Sequence, residues 1–522
     1  MNLRTKLLAI VCAVCCGMTS AEDAPAQKGE VTPFVYVSLR SASVLEQLAK
    51  KLSLPLPPAA TAAGVSQIFP FLGEKGMNAD KPVSVILLLG AGLKQQQQAL
   101  FVLPAVDSSS FVTSVKEKGM QSVVKDADVY LINNMPFRFT KDYVLFGGTL
   151  DAVTKIDTQT VARPFSEGEV LARLVIDAKS VRAKDQAALQ KFVDDAARPK
   201  PNPLNLPKND AEAAGERFGR ETVRDLMLKK LERLTVDLSS NDSGLVLALQ
   251  ITPSSPLKLS ALPRPGLPTT CLARMDLSCA APDFSSIVQD LFEKVLSGQK
   301  SRVLPATDDE RKIVGQYFRE LMMLFLEADC SSWGINDEDG KVAGYVVKQF
   351  SEEYDFAAKA LSLAELGKKA AAVLGEQQIV RLEKYVADDG TKVSRLIFGE
   401  AGVDNYCLDG AQVGKRVFMT ISADMGKRMK NIIGLPDDAV PAPAPVAGWV
   451  DPTALLTAMS KRPDAAINPE MAKGMIKAFA NRRVRVEASS GEQGLSVNLK
   501  VPFEVLTPLL QAGGATQGAP QP

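Results

Sequence analysis

The chain has 522 residues, with 61 Lys+Arg against 60 Asp+Glu, seven cysteines and no histidine. Without an imidazole there is no Ser-His-Asp triad, no Cys-His pair, no HExxH zinc site and no general base with an unperturbed pKa near neutrality. So even a charge balance lacks the basic stripe of a dedicated nucleic-acid binder and the polybasic patch of a membrane-surface anchor, and no nucleic-acid partner is expected.

Residues 1–21 read as a cleaved secretory signal peptide. Arg4 and Lys6 form a positive start, Leu7 to Met18 is apolar, and Thr19-Ser20-Ala21 places small residues before a cut at Glu22. The apolar run is shorter than the roughly 20 residues that cross a bilayer. Cys12, Cys15 and Cys16 lie in it, but Val11, Val14 and Cys15 precede them where a lipidation signal wants a small residue. Cleavage removes Arg4 and Lys6 from the 61 basic residues, leaving 59 against 60 acids. No later apolar run reaches 18 residues, so no transmembrane span is expected after cleavage and the location is periplasmic or extracellular. Residues 22–30 are small and polar and read as disordered.

Residues 31–260 read as a first α+β module. Phe34–Leu39 is a strand followed by a helix near Ala42–Leu52. Ser84–Leu89 and Ala99–Leu103 pair as strands, and Ser109–Lys118 is a helix. Strands follow around Val129–Ile132 and Tyr143–Phe146, then a helix from Thr149, a strand over Leu171–Asp177, and a hairpin over Leu234–Ile251. Five prolines fall in Pro253–Pro268, and 261–268 reads as a linker.

Residues 269–511 repeat that order. Cys271–Leu277 is a strand followed by a helix near Phe284–Leu296. Cys330–Ile335 and Val342–Val347 pair across Asp337-Glu-Asp-Gly340, and Ala358–Leu374 is helical. Strands Ile379–Val386, Ser394–Phe398 and Val417–Ile421 precede a helix from Asp424, and Gly448–Asp451 leads to a closing hairpin. That hairpin, Val484–Val501, aligns with Leu234–Ile251 without a gap at an offset of 250 residues, sharing Val, Ser-Ser and Gly-Leu. The fold class is therefore α+β, two tandem repeated modules, each an antiparallel β-sheet with helices packed on one face. One extra amphipathic helix covers Arg311–Glu327, and 512–522 read as a disordered tail.

Ala99–Phe111 has the form strand, Pro, Val, x-Asp, helix. With Asp128–Ile132 and Tyr143–Val153 it resembles a family of exported two-module proteins from planctomycete- and verrucomicrobia-type bacteria. The likeness covers residues 30–180 and extends only weakly into the second module. It implies an exported fold of this class and marks no chemistry, so no functional residue is carried over.

The search for chemistry nominates no catalytic, cofactor-binding or metal-binding residue. Ser297-Gly-Gln-Lys300 has SxxK spacing, but at a helix end and without the accompanying elements of that enzyme class. Counting Gly340 as position 6 of a calcium loop puts Ile335 and Val346 where ligands belong, so Asp337–Gly340 reads as a hairpin turn, as does Asp388-Asp-Gly390. Gly90-Ala-Gly92 lacks the third glycine of a dinucleotide fingerprint. Trp333 and Trp449 fall on strands and read as core. Cys271, Cys279, Cys330 and Cys407 are the candidate disulfide cysteines of the mature chain; they permit three pairings, with buried thiols as the alternative. The expected function is that of an exported bacterial envelope protein with a non-enzymatic binding or structural role, its partner an envelope ligand or protein, with no cofactor. A histidine-independent hydrolase using paired carboxylates or Ser/Lys is one alternative. A carrier of an apolar or lipid ligand, with a groove under Arg311–Glu327, is the other.

Overall fold

The computed structural model describes residues 32–41, 44, 47–48, 50, 81–89, 97–104, 108–117, 122–126, 129–132, 135–140, 143–156, 170–196, 224, 226–254, 264–268, 270–277, 307–338, 341–374, 379–387, 390–399, 406–422, 432–433, 435–438, 444–460, 469–479, 482–491 and 494–507. The signal peptide, both expected disordered segments, the helix near Phe284–Leu296 and the helix from Asp424 lie outside them. The fold is α+β, with antiparallel sheets and several helices. The chain divides into two compact units: 1–199 with 224–256 and 509–522, and 200–223 with 257–508.

The first unit contains strands β1 (Thr32–Leu39), β2 (Val83–Leu89), β3 (Gln97–Pro104), β4 (Ser122–Asp126), β5 (Val129–Ile132), β6 (Met135–Phe139), β7 (Tyr143–Phe146), β8 (Val170–Asp177), β9 (Leu231–Ser240) and β10 (Gly244–Pro253). Its helices are α1 (Ser108–Glu117), α2 (Leu150–Lys155) and α3 (Ala178–Ala196), and a π-helical turn spans Leu226–Lys230. The strands pair antiparallel in the order β10-β9-β8-β1-β2-β3-β7-β6-β5-β4.

β2, Val-Ser-Val-Ile-Leu-Leu-Leu, is apolar almost throughout because both of its faces are covered. Leu87 and Leu89 meet Val181, Leu189 and Val193 of α3, whereas Ile86 and Leu88 meet Ala152 and Val153 of α2. The two helices therefore occupy opposite faces of the sheet, in contrast to the single helical face expected from sequence. A short helix suffices on the α2 side because Thr149 caps it, accepting from the Ala152 amide at 3.2 Å. Gly147 and Gly148, at φ 98° and 64°, turn the chain into that cap, and a Cβ on Gly147 would sit 2.9 Å from the Ala99 carbonyl oxygen. On the same face as Ile86, the buried hydroxyls of Ser38 and Ser84 lie 2.7 Å apart. The Asp177 carboxylate caps α3 through the Ser180 amide, and Asp185, at φ −152°, interrupts it and caps the next turn through the Ala188 amide.

The second unit contains β11 (Ala273–Leu277), β12 (Cys330–Glu338), β13 (Lys341–Gln349), β14 (Ile379–Val386), β15 (Lys392–Gly399), β16 (Tyr406–Val413), β17 (Arg416–Ser422), β18 (Val446–Val450), β19 (Val484–Gly491) and β20 (Gly494–Pro502). They pair antiparallel in the order β20-β19-β18-β11-β12-β13-β17-β16-β15-β14. Its helices are α4 (Asp308–Leu326), α5 (Phe356–Leu374), α6 (Pro452–Ser460) and α7 (Pro469–Phe479).

α4 is the extra amphipathic helix. It opens with a capping box in which the Thr307 hydroxyl accepts from the Glu310 amide at 3.3 Å and the Glu310 carboxylate from the Thr307 amide at 3.0 Å. Tyr317, Leu321, Leu324 and Phe325 of α4 pack with Phe356, Ala360 and Leu363 of α5 onto Val346, Leu396, Leu408 and Met419. The groove expected beneath residues 311–327 is thus filled by its own side chains. The other face carries Tyr345, Val347, Val393 and Phe418 and is covered by Leu267, Cys271 and Ile432. Pro265, Gly266 and Leu267, inside the expected linker, are buried there. At Gly266 a Cβ would lie 2.0 Å from the Pro436 carbonyl oxygen, so only glycine permits that crossing.

The structure adds elements that hydrophobic patterning did not show: β4, β6, β16, α3, α6 and α7. No helix among the described residues is long and apolar enough to cross a membrane.

Candidate functional site

Four features of the second unit gather polar side chains, and each is built by strand alternation. In β11 the apolar residues Ala273, Met275 and Leu277 share one parity and Arg274 and Asp276 the other, and it is the charged pair that is buried. Arg274 Nε donates to Asp276 Oδ1 at 2.8 Å, and its Nη2 donates to the Pro265 carbonyl at 2.8 Å and to Ser332 Oγ at 3.2 Å. Ser332, directly opposite Asp276 in the register, donates to Asp276 Oδ1 at 2.7 Å. The covering segments supply the other half. Arg274 Nη1 is 2.8 Å from Asp438 Oδ2, and Arg264 Nε is 2.8 Å from Asp276 Oδ2 and 3.2 Å from Asp438 Oδ2. Arg264 Nε has no aligned hydrogen bond, so it acts there by charge. Two guanidinium groups and two carboxylates neutralise one another in a closed set.

The same face carries a second pair, on β15 and β16. Arg395 donates to both oxygens of Asp409, at 2.7 and 3.1 Å, and Tyr385 donates to Asp409 Oδ2 at 3.1 Å. The guanidinium also stands 4.6 Å from the Tyr385 ring centre. Burial, and then the Asp409 charge, push the Tyr385 phenol up to about 12, so it donates as a neutral group. Burial opposes the charge on Arg395, but the hydrogen bonds to Asp409 outweigh it and raise its pKa.

On the helical face, β13 places Lys348 among Val346 and Phe350. It is 1% exposed, and its Nζ donates to the Leu324 carbonyl in the last turn of α4 at 2.9 Å. The ammonium stands 5.2 Å from the Phe350 ring and 5.7 Å from the Tyr354 ring. Burial lowers its pKa to about 7, with Glu327 pulling it up and Lys359 pushing it further down. A neutral amine is a nucleophile, but this one is sealed in the core with no room for a substrate. Tyr354 Oη, also buried there, has no hydrogen-bond partner among the described residues, and burial raises its pKa.

The fourth feature is open. Where β14, β15 and β16 run past the first turn of α5 there is a cleft of about 360 Å³. Phe356 forms one wall, its ring lying against Gly410, where a Cβ would meet it at 2.0 Å. Val386, 64% exposed, stands at the cleft, and Asp355, Ala357, Lys384, Lys392, Ser394 and Gln412 are among the other residues that line it. The Phe356 amide donates to Gln412 Oε1 at 2.9 Å and the Ala358 amide to Asp355 Oδ1 at 2.9 Å.

The positions singled out from sequence are placed elsewhere. Ser297 and Lys300 lie outside the described residues, as do Gly90, Gly92 and Cys279. β12 pairs with β13 and β14 with β15; Asp339, Gly340, Asp388 and Asp389 lie outside the described residues, Asp337 lies in β12, and Gly390 has φ 83°. Cys271, Cys330 and Cys407 are buried and no disulfide joins any two of them. Trp333 is half-buried against Phe325, and Trp449 carries the Arg483 guanidinium 3.7 Å above its ring. Among the described residues no cluster of three or more Cys, Asp or Glu is arranged to hold a metal ion. Sequence reasoning passed over Arg274, Asp276, Lys348 and Ser394. The available signal was a polar residue at a strand position whose same-parity neighbours are apolar, legible for Lys348 between Val346 and Phe350 but inverted at β11.

No protein-family model, no curated protein and no solved structure matches the chain.

Proposed function

We propose that this chain is an exported bacterial envelope protein with a non-enzymatic binding or structural role, built from two tandem copies of one α+β module. The observation that carries the role is the use made of the buried charges in the second unit. Arg264, Arg274, Asp276 and Asp438, and separately Arg395 and Asp409, are engaged with one another, and they fasten strands to covering segments. A carboxylate pair that hydrolyses a substrate needs free oxygens facing an open site. Here guanidinium groups occupy them.

Four correspondences support the duplication. The strand order of the second unit repeats that of the first with every strand ten places later. The closing hairpins share a register at the 250-residue offset, Leu238 facing Leu247 and Ala488 facing Val497. Ser38 opposite Ser84 in β1 and β2 matches Asp276 opposite Ser332 in β11 and β12, each a buried polar contact at 2.7 Å. Asp177 and Asp451 likewise cap the helices that follow β8 and β18. Export rests on the charge, apolar run and small residues of 1–21.

The test is a panel of fluorogenic esters, glycosides, phosphates and peptides offered to residues 22–522. The expected result is no turnover. A rate that disappears in Asp409→Asn or Asp276→Asn while the fold persists by circular dichroism would overturn the non-enzymatic role.

A further inference from the structure

The cleft at the start of α5 has a chemistry that nothing in the fold uses. Ser394 on its floor is only 6% exposed, and its hydroxyl makes no hydrogen bond to any described residue. Its oxygen is not among the sealed, unpartnered atoms, so its hydrogen-bonding capacity is open to whatever fills the cleft. The Ala357 amide, in the first turn of a 19-residue helix, likewise has no acceptor among the described residues. It carries the positive end of the helix dipole to the cleft. Lys384 and Lys392, both exposed, line the cleft and form no ion pair with a described acid. Asp355, the one carboxylate in the lining, is taken up by capping through the Ala358 amide. Four donors thus line the cleft with no acceptor among the described residues. Beside them stand the Phe356 ring and the exposed Val386 side chain.

The geometry points to a binding site for a small amphiphile with an oxyanion head. The head sits over Ser394 and the Ala357 amide between the two lysines, and the apolar body lies along Phe356 and Val386. The volume, about 360 Å³, is at the small end of the range for ligand pockets, which fits a short chain better than a long lipid. This deepens the binding reading above and fails separately from it, because it is read by titration and the earlier role by turnover.

The experiment is isothermal titration of residues 22–522 with decanoate, decyl phosphate and, as an uncharged comparison, decanol. One or both anions are expected to bind at least about tenfold tighter than decanol, and the preferred head separates a carboxylate ligand from a phosphate one. Lys384→Glu with Lys392→Glu should weaken the anion by about tenfold or more and leave the melting temperature unchanged, since both side chains are exposed. Ser394→Ala should weaken it with both lysines intact. Lys368→Glu with Lys369→Glu, on exposed positions of α5 away from the cleft, should bind as the parent does. Equal binding of decanol and the anions, equal loss in the Lys368/Lys369 variant, or no binding of any anion would overturn the site.

Discussion

Lys348 holds an ammonium in a core that ought to be apolar. Its folded pKa, about 7, lies below the ordinary 10.5, so between those values the unfolded chain binds a proton that the folded chain does not. Stability therefore rises with pH from about 7 toward 10.5, and below 7 both states are protonated and this contribution is flat. The melting temperature of the parent should climb between pH 7 and 9, below the range where the raised thiol of Cys330 begins to oppose it. Lys348→Met should flatten that climb and, by removing a buried charge of similar volume, hold or raise stability at pH 7. A climb of equal slope in the variant would show that another group is responsible. Ser394 is the complementary case at this scale: a neutral hydroxyl, buried, and facing open space.

At the scale of elements, β11 shows where pattern reading stops. Ala273, Met275 and Leu277 alternate as a core-facing row would, and the strand itself was legible for that reason. The face was not, because the buried row is Arg274 and Asp276 and their partners Arg264 and Asp438 come from segments distant in sequence. A hydrophobic pattern cannot announce a charge that will be matched from elsewhere. β12, β13 and the 250-offset hairpins were legible from Asp-Gly turns and alternation, while β16 was hidden by Asp409, Gly410 and Gln412 in its middle. The helices after β8 and β18 were hidden by the weak polarity contrast of their faces. The cleft was illegible because its donors come from two strands and a helix start. The charge network carries its own prediction. Asp276→Ala leaves two guanidinium groups sharing one carboxylate and should cost about 3–5 kcal/mol in urea unfolding. Replacing Arg274 and Asp276 together by Met and Leu should cost less than that single change, since Arg264 and Asp438 remain paired; the reverse order would mean that the site does not act as a unit.

For the whole molecule, a chain of 61 basic and 60 acidic residues has almost no net charge at neutral pH. Its solubility should therefore pass through a minimum near pH 7 and rise on either side, as measured by precipitation with polyethylene glycol. It should also pass through a heparin column without retention. Strong retention there would point to a local basic surface that the overall balance conceals.

The position of Cys330 in β12 turns it into a clock. It is buried, and burial together with Asp437 and Asp329 pushes its pKa to about 12 from 9.0, against the pull of Arg416. Only the thiolate reacts with alkylating agents, so the native state is silent on two counts, access and ionisation. Any adduct at Cys330 therefore records a moment when the second unit had come apart. Counted over time by mass spectrometry, such adducts report the opening of that unit under native conditions, with no denaturant.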